Sequence, residues 1–311
     1  MCPNVARMKP WGKVAALSVF TLLASVFALS TPLSANTPEI TQVVQLGDSY
    51  SAGYGVLADD ISVDGGGCLT PGYYDTSAGP GGRLAASLGV QLVFAACGGA
   101  EIDDIGPQFN AARPHIPGDG TGTLIVFTAG GNDLRTERGE MWTDVLQRCI
   151  LFDLSCDLRD QNQVANFADL RNDMIELVSD IARSAPGADI RVMGYPELMQ
   201  RSPWCFGVTG VDRNEADFLD VMARSLNDTL EAAVELAAAG RSGDIRFVDV
   251  EDDFDDHGAC QTERSGERYV NDTEIVLRTV SVAANSFHPT ASGYDAYARA
   301  LNASLPQHLR P

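Results

Sequence analysis

The chain has 311 residues and a net charge of −20, with 45% hydrophobic and 21% charged residues. This composition supplies a sizeable apolar core and excludes a disordered or low-complexity protein. Because 42 acidic residues outnumber 22 basic ones, the chain would repel phosphate backbones, and we expect no nucleic-acid partner.

The N-terminus has the layout of a secretory signal peptide. Its first residues carry three basic side chains and no acid, and an uncharged apolar run from Val14 to Leu29 follows. The run is short for a membrane span and leads into small residues, which predicts cleavage after Ala35. Residues 1–35 are therefore interpreted as a signal peptide and residues 36–311 as one secreted domain with a charge of −23. A retained N-terminal anchor is the alternative.

Cleavage would also remove Cys2 and leave six of the seven cysteines. An even number in an exported chain suits three disulfides in an oxidising compartment. Six cysteines allow 15 pairings, and sequence alone does not choose among them. The absence of a C-x-x-C motif or a Cys/His cluster disfavours a metal site. The simplest hypothesis joins neighbours along the chain: Cys68–Cys97, Cys149–Cys156 and Cys205–Cys260.

Five short apolar runs predict the strands of a sheet. They are Gln42–Leu46, Gln91–Ala95, Leu124–Thr128, Ile190–Gly194 and Ile245–Val250. Their near-continuous hydrophobicity indicates burial on both faces. Apolar residues at helical spacing predict helices over Phe167–Ala185, Arg213–Ala239 and Thr290–Leu305. Strands alternating with helices predict a single α/β domain, a three-layer α/β/α sandwich around a five-stranded parallel sheet.

Parallel sheets bind ligands beyond the carboxyl ends of their strands, so the residues after each run are the candidates for chemistry. The first three runs are followed by Gly47-Asp48-Ser49-Tyr50-Ser51, Cys97-Gly98-Gly99-Ala100 and Gly130-Gly131-Asn132-Asp133. Each is an ordinary turn composition by itself, but together they bring a serine, glycine amides and an asparagine to one edge. His288 directly precedes the last predicted helix and is the candidate base, because a helix N-terminus favours neutral imidazole.

These blocks resemble those of the SGNH, or GDSL, hydrolase superfamily, in the family's order and from residue 43 to residue 297. The last block is His288-Pro289-Thr290-Ala291-Ser292-Gly293-Tyr294. The resemblance implies the flavodoxin-like SGNH fold and hydrolysis of carboxylic esters without a cofactor or a metal. The cysteine layout is similar to that of secreted bacterial esterases and lipases, which implies the three sequential disulfides given above.

The resemblance also implies a role for each site residue. Ser49 would attack an ester carbonyl and His288 would take its proton, with an acyl-enzyme between the two half-reactions. The backbone N–H groups of Ser49 and Gly99 and the side-chain amide of Asn132 would form the oxyanion hole. Gly98 is the alternative donor to Gly99, which matches the glycine of the family's Ser-Gly-x block.

Asn285 departs from the family pattern, in which many members carry an aspartate three residues before the histidine. An amide has no charge with which to stabilise the imidazolium. Either the main-chain carbonyl of Asn285 orients the ring, giving a Ser-His dyad, or its side-chain oxygen does so. We favour the carbonyl.

The resemblance implies a small-molecule or lipid ester as substrate, without stable membrane insertion, and we expect a monomer. A phospholipase and a carbohydrate acetylesterase of the same fold are alternatives. A non-catalytic lipid- or carbohydrate-binding protein is disfavoured because the catalytic groups are all present. The acidic run Asp249–Asp256 is interpreted as a solvated loop, with a calcium site as the alternative, and His257 as a structural histidine.

Overall fold

The computed structural model describes most of the chain after residue 38 and two residues near its start. The described ranges are 6–7, 39–56, 78–152, 164–199, 213–259, 267–273, 275–276, 281–282 and 285–310. Only Ala6 and Arg7 of the predicted signal peptide fall within these ranges, so cleavage after Ala35 stays a prediction.

The centre of the fold is a sheet of five parallel strands. They are β1 (Gln42–Gln45), β2 (Gln91–Phe94), β3 (Thr123–Phe127), β4 (Asp189–Met193) and β5 (Ile245–Val248). Their order is β2-β1-β3-β4-β5, the flavodoxin-like order. Val43 of β1 pairs with Leu92 on one side and Leu124 on the other, so the ends of β1, β2 and β3 lie side by side. Ala6–Arg7 adds a two-residue antiparallel strand beside β2.

Helices connect these strands. They are α1 (Ser49–Ala52), α2 (Pro80–Leu88), α3 (Ile102–Ala112), α4 (Trp142–Phe152), α5 (Phe167–Ser184), α6 (Arg213–Ala238), α7 (Glu251–Phe254) and α8 (Ala291–Ala303). Ile275–Val276 and Ser281–Val282 form a separate antiparallel pair. Within the described ranges, no helix has the length and apolarity needed to cross a membrane.

The helices form a layer on each face of the sheet. From β1 to β2 the chain crosses the sheet in one direction, and every later crossover goes in the opposite direction. Because such crossovers are right-handed, α2 lies on one face of the sheet and α3, α5 and α6 lie on the other. The packing agrees, since α5 contacts α3 and α6 whereas α2 contacts α8. Apolar residues three and four positions apart, such as Met174, Leu177 and Ile181, bury one side of α5. The predicted three-layer α/β/α fold is confirmed.

Candidate active site

Ser49 stands just beyond the carboxyl end of β1, in the first turn of α1. The chain turns sharply because Gly47 has a φ of +116°, and a Cβ at this position would lie 2.6 Å from the Thr128 carbonyl oxygen. Asp48 caps α1, with its Oδ1 accepting the Tyr50 N–H at 3.0 Å. The glycine and the cap together hold the Ser49 hydroxyl at the edge of the sheet where ligands bind.

His288 contacts this hydroxyl from the loop before α8. Its Nε2 lies 2.7 Å from Ser49 Oγ, and its Nδ1 lies 3.0 Å from the main-chain oxygen of Ser286. An Nδ1–H that donates to this carbonyl leaves a lone pair on Nε2, which is the form needed to accept the serine proton. The arrangement gives the serine a base and gives the base an acceptor.

The acceptor beside Nδ1 is one residue later than the sequence suggested. The Asn285 carbonyl accepts the backbone N–H of His288 at 3.2 Å, whereas the oxygen at 3.0 Å from Nδ1 belongs to Ser286. The cause is a tight turn in which Phe287 has a φ of +60°. The prediction that the Asn285 carbonyl accepts from His288 Nδ1 is therefore corrected: the Ser286 carbonyl lies at this position.

Asn132 and Gly99 approach the same place from the ends of β3 and β2. Asn132 Nδ2 donates to the Ala100 carbonyl at 2.9 Å, which uses one of its two hydrogens and leaves the other for a substrate oxygen. Gly99 has a φ of +79°. Within the described part of the chain, the N–H groups of Gly99 and Ser49 donate no hydrogen bond. Gly99, Asn132, Ser49 and His288 all line one cavity.

Two observations explain the shape of the loop that carries Gly99. Gly98 packs against Tyr54, so closely that a Cβ would lie 2.4 Å from the ring, and a side chain is therefore excluded at Gly98. The Asp133 carboxylate accepts the Ile102 N–H at the start of α3, at 3.0 and 3.1 Å. Burial raises the pKa of Asp133 to about 7. Asn132 and Asp133 thus both tie the end of β3 to this loop.

The cavity beside the dyad has a volume of about 570 Å³. Its polar lining residues include Ser49, Asn132 and His288 and, from α4, Thr143, Asp144 and Gln147. Its apolar walls come mainly from α4, α6 and the loop after β3. They include Leu134, Trp142, Leu146, Leu219, Met222 and Leu226. A cavity in which apolar walls adjoin a few polar groups is suited to a ligand that has a long apolar part.

A buried hydrogen-bond network joins the strand ends beneath the site. Tyr195, which follows β4, donates its hydroxyl to Asp48 Oδ2 at 2.5 Å and accepts the Gly131 N–H at 3.1 Å. Asp48 Oδ1 also accepts the Thr128 hydroxyl at 2.5 Å. Burial raises the pKa of Asp48, and these hydrogen bonds oppose the rise. The network links the turn that carries Ser49 to the residue before Asn132.

Gln108 of α3 holds the same turn from below. Its Oε1 accepts the Gly47 N–H at 2.7 Å and its Nε2 donates to the Gly47 carbonyl at 3.0 Å. The sequence predictions gave no role to Gln108 or Tyr195. Gln108 could have been found as a polar residue on an apolar helix face, beside Ile105 and Phe109. Tyr195 could have been found from its position directly after a strand.

His257 lies apart from the cavity. Its ring stacks on Tyr269 with centroids 3.9 Å apart, and its Nδ1 lies 2.6 Å from the Glu267 carbonyl oxygen. Part of the neighbouring acidic run forms α7, which buries Phe254. Among the residues that the structure describes, no three His, Cys, Asp or Glu side chains are arranged to hold a metal ion.

Cys97 is disulfide-bonded. The side chains of all other cysteines lie outside the described residues, so the predicted pairings remain predictions.

The sequence model of the GDSL-like lipase/acylhydrolase family matches residues 46–296. The chain is similar to a lipase of Streptomyces rimosus, with 27% identity over 289 residues that cover 92% of this chain and 95% of the relative. It is equally similar to Lipase 2 of Streptomyces coelicolor, with 27% identity over 290 residues that cover 90% of each chain.

Two solved structures share the fold. The extracellular lipase from Streptomyces rimosus has a TM-score of 0.62 at 25% identity, over 85% of this chain and 100% of that one. Phospholipase A1 from Streptomyces albidoflavus NA297 has a TM-score of 0.67 at 24% identity, over 86% of this chain and 100% of that one. Its sequence thus matches this family over most of its length, and Ser49, Gly99, Asn132 and His288 line one cavity. The chain belongs to the GDSL-like lipase/acylhydrolase family of carboxylic ester hydrolases.

Proposed function

We propose that the chain is an exported esterase or lipase that cleaves acyl esters at Ser49 through an acyl-enzyme. The observation that carries this proposal is the 2.7 Å contact between Ser49 Oγ and His288 Nε2 in a cavity with apolar walls. A serine hydroxyl is a weak nucleophile by itself, and a neutral imidazole at this distance activates it.

In the first half-reaction, Ser49 Oγ bonds to the ester carbonyl carbon while its proton moves to His288 Nε2. The carbonyl oxygen becomes an oxyanion, which the N–H groups of Ser49 and Gly99 and the Asn132 amide stabilise. The tetrahedral intermediate collapses as the bond to the alcohol oxygen breaks, and His288 gives its proton to that oxygen. Alcohol leaves, and the acyl group remains on Ser49.

Water completes the reaction by the same chemistry. His288 takes a proton from water, the resulting oxygen attacks the acyl carbon, and the proton returns to Ser49 Oγ as the acid leaves. The imidazolium that forms in each half-reaction is supported through Nδ1 by the Ser286 carbonyl, 3.0 Å away. The proposed machinery is therefore a Ser-His dyad oriented by a main-chain carbonyl.

The cavity supports an acyl chain as the apolar part of the substrate. Walls such as Leu146, Leu219 and Leu226 would shield a hydrocarbon chain from water, and each buried methylene contributes about 0.8 kcal/mol. An acetyl group would leave most of these walls uncovered. Lipid or aliphatic esters are accordingly proposed, in keeping with relatives named as lipases. Phospholipase and carbohydrate acetylesterase activities are the alternatives.

The decisive experiment measures hydrolysis of p-nitrophenyl esters from acetate to palmitate. We expect chains longer than acetyl to be preferred. Ser49→Ala and His288→Ala should each lower kcat by at least about 10³-fold, and Ser49→Ala should abolish labelling by a fluorophosphonate. His257→Ala is the matched control and should keep kcat within about twofold of the wild type. Activity that survives Ser49→Ala would refute the mechanism.

Export is the second part of the proposal. It is supported by the signal-like N-terminus, by the disulfide-bonded Cys97 and by a relative named as extracellular. Mass spectrometry of protein recovered from culture medium should find Asn36 as the first residue. Non-reducing peptide maps should find three sequential bridges; an N-terminus that retains residues 1–35, or crossed pairings, would contradict this part.

A further inference from the structure

The residue before the base has an unusual backbone conformation. Phe287 has a φ of +60°, and among the residues that the structure describes only Phe287 and Asp256 combine a positive φ with a side chain. The left-handed region is sterically costly for a side chain as large as phenylalanine. Its surroundings must therefore hold Phe287 in this conformation.

This torsion sets the hydrogen bond that orients the base. Rotation about the N–Cα bond of Phe287 turns the peptide plane of the Ser286 carbonyl relative to His288. A return to negative φ would swing the Ser286 oxygen away from its position 3.0 Å from Nδ1. The imidazole would then lose the acceptor that selects its tautomer.

Two hydrogen bonds hold Phe287. The Asn271 carbonyl accepts the Phe287 N–H at 3.1 Å, and the Tyr50 hydroxyl donates to the Phe287 carbonyl at 2.5 Å. Tyr50 is buried, directly follows Ser49, and its ring centroid lies 5.1 Å from that of His288. One side chain thus connects the turn of the nucleophile to the turn of the base.

We propose that Tyr50 is a positioning residue for the base, an inference that rests on the proposed Ser49–His288 dyad. Its hydroxyl holds the Phe287 carbonyl, keeps this residue left-handed, and thereby keeps the Ser286 carbonyl against Nδ1. Because Tyr50 belongs to the same turn as Ser49, it also fixes the base relative to the nucleophile.

Tyr50→Phe removes the hydroxyl alone and is the first test. We expect kcat for a p-nitrophenyl ester to fall about tenfold. KM should change less than about twofold, because the hydroxyl already donates to the Phe287 carbonyl and does not bind the substrate. Tyr297→Phe is the matched control. It deletes another buried hydroxyl, which donates to the Gly194 carbonyl at 2.8 Å, and should keep kcat within about twofold. Thermal melting checks that both variants are folded.

A second test asks whether Tyr50 acts through Phe287. Asparagine tolerates the left-handed region better than phenylalanine. In Phe287→Asn, residue 287 should therefore stay left-handed without the Tyr50 hydrogen bond. Adding Tyr50→Phe in that background should lower kcat by only about twofold instead of about tenfold. A general structural role for the hydroxyl predicts the same loss in both backgrounds.

Three results would overturn the proposal: a kcat of Tyr50→Phe within about twofold of the wild type, equal losses in the two backgrounds, or a Tyr50→Phe protein that fails to fold while Tyr297→Phe folds. Ser49→Ala, measured in the same series, separates these results from failure of the dyad. If Ser49→Ala retains activity, the proposed function is refuted. If Ser49→Ala loses activity while Tyr50→Phe keeps the kcat of the wild type, only the positioning role is refuted.

Discussion

Gln108 offers a direct test of how the turn of the nucleophile is held. Gln108→Met keeps a similar shape but removes both hydrogen bonds to Gly47. The Gly47 carbonyl still accepts the Cys97 N–H at 2.8 Å, so only the Gly47 N–H is left buried without a partner. An orphaned buried N–H costs about 1–3 kcal/mol and the second lost bond about 1 kcal/mol. We expect a loss of about 2–4 kcal/mol in the free energy of unfolding.

Gln108→Glu makes the same interaction depend on pH. A protonated glutamate can donate to the Gly47 carbonyl and accept the Gly47 N–H, as the amide does, whereas its carboxylate cannot donate. Burial should raise the pKa of this glutamate above its unfolded value of about 4.3. The native state then binds more protons than the unfolded state, so the penalty relative to wild type grows as pH rises from about 4.3 and levels off above the native pKa.

Urea unfolding of the oxidised protein between about pH 5 and about pH 8, followed by fluorescence, measures both variants against wild type. Gln108→Met should be destabilised by a similar amount at every pH, which makes it the reference for Gln108→Glu. Two results would refute this account of the Gln108–Gly47 hydrogen bonds. One is a loss of less than about 0.5 kcal/mol in the free energy of unfolding for Gln108→Met, and the other is a loss for Gln108→Glu that does not change with pH.

Three further predictions concern residues in or beside the cavity. Asp133→Asn keeps an acceptor for the Ile102 N–H. Because burial raises the pKa of Asp133 from 3.8 to about 7, the wild type loses stability as pH rises between these two values, whereas the variant does not. Urea unfolding should therefore show a free energy of unfolding that is higher for the variant, by a difference that grows with pH to at most about 4 kcal/mol. Tyr195→Phe removes the acceptor of the Gly131 N–H beside the oxyanion hole, so kcat and the affinity for a boronic acid inhibitor should fall by the same factor, about tenfold. Leu219→Trp fills part of the apolar cavity and should move the chain-length optimum of p-nitrophenyl esters toward shorter acyl groups without lowering turnover of the acetate.

The sequence predicted the sheet well because its strands are buried on both faces and their hydrophobic runs are nearly continuous. It did not predict α2 and α3. Pro80 opens α2, and Gly106 and Pro107 lie inside α3, where they weaken the helical pattern. The buried side chains of Ile105 and Phe109 stabilise α3 through tertiary packing, which outweighs local propensity and leaves little trace in the sequence.

The site divides in the same way. Ser49 and His288 were predicted because each lies in a motif that can be read locally. The Ser286 carbonyl was not predicted, because its position depends on the φ of Phe287, and a left-handed phenylalanine has no local signature. That conformation is held by Tyr50, 237 positions away in the chain, so it emerges only once the fold brings the two turns together.

The distribution of charge explains why backbone geometry matters so much here. Asp48 is a buried carboxylate next to the nucleophile, yet its hydrogen bonds go to Tyr50, Thr128 and Tyr195, and burial raises its pKa. Its role is to join the ends of β1, β3 and β4 and not to support the imidazolium. The proposed base, His288, instead contacts the Ser286 carbonyl, whose dipole attracts a cation less strongly than a carboxylate would.

A neutral acceptor helps the base only when it is accurately aimed, since a dipole loses its effect with direction as well as with distance. The structure meets this demand with tyrosine hydroxyls that hold main-chain carbonyls. Besides Tyr50, Tyr294 donates to the Tyr54 carbonyl at 2.7 Å. Each hydrogen bond joins α1 or α8 to a loop at the carboxyl edge of the sheet. In the proposed mechanism, rigid support of the backbone takes the place of the charge that an aspartate at position 285 would supply.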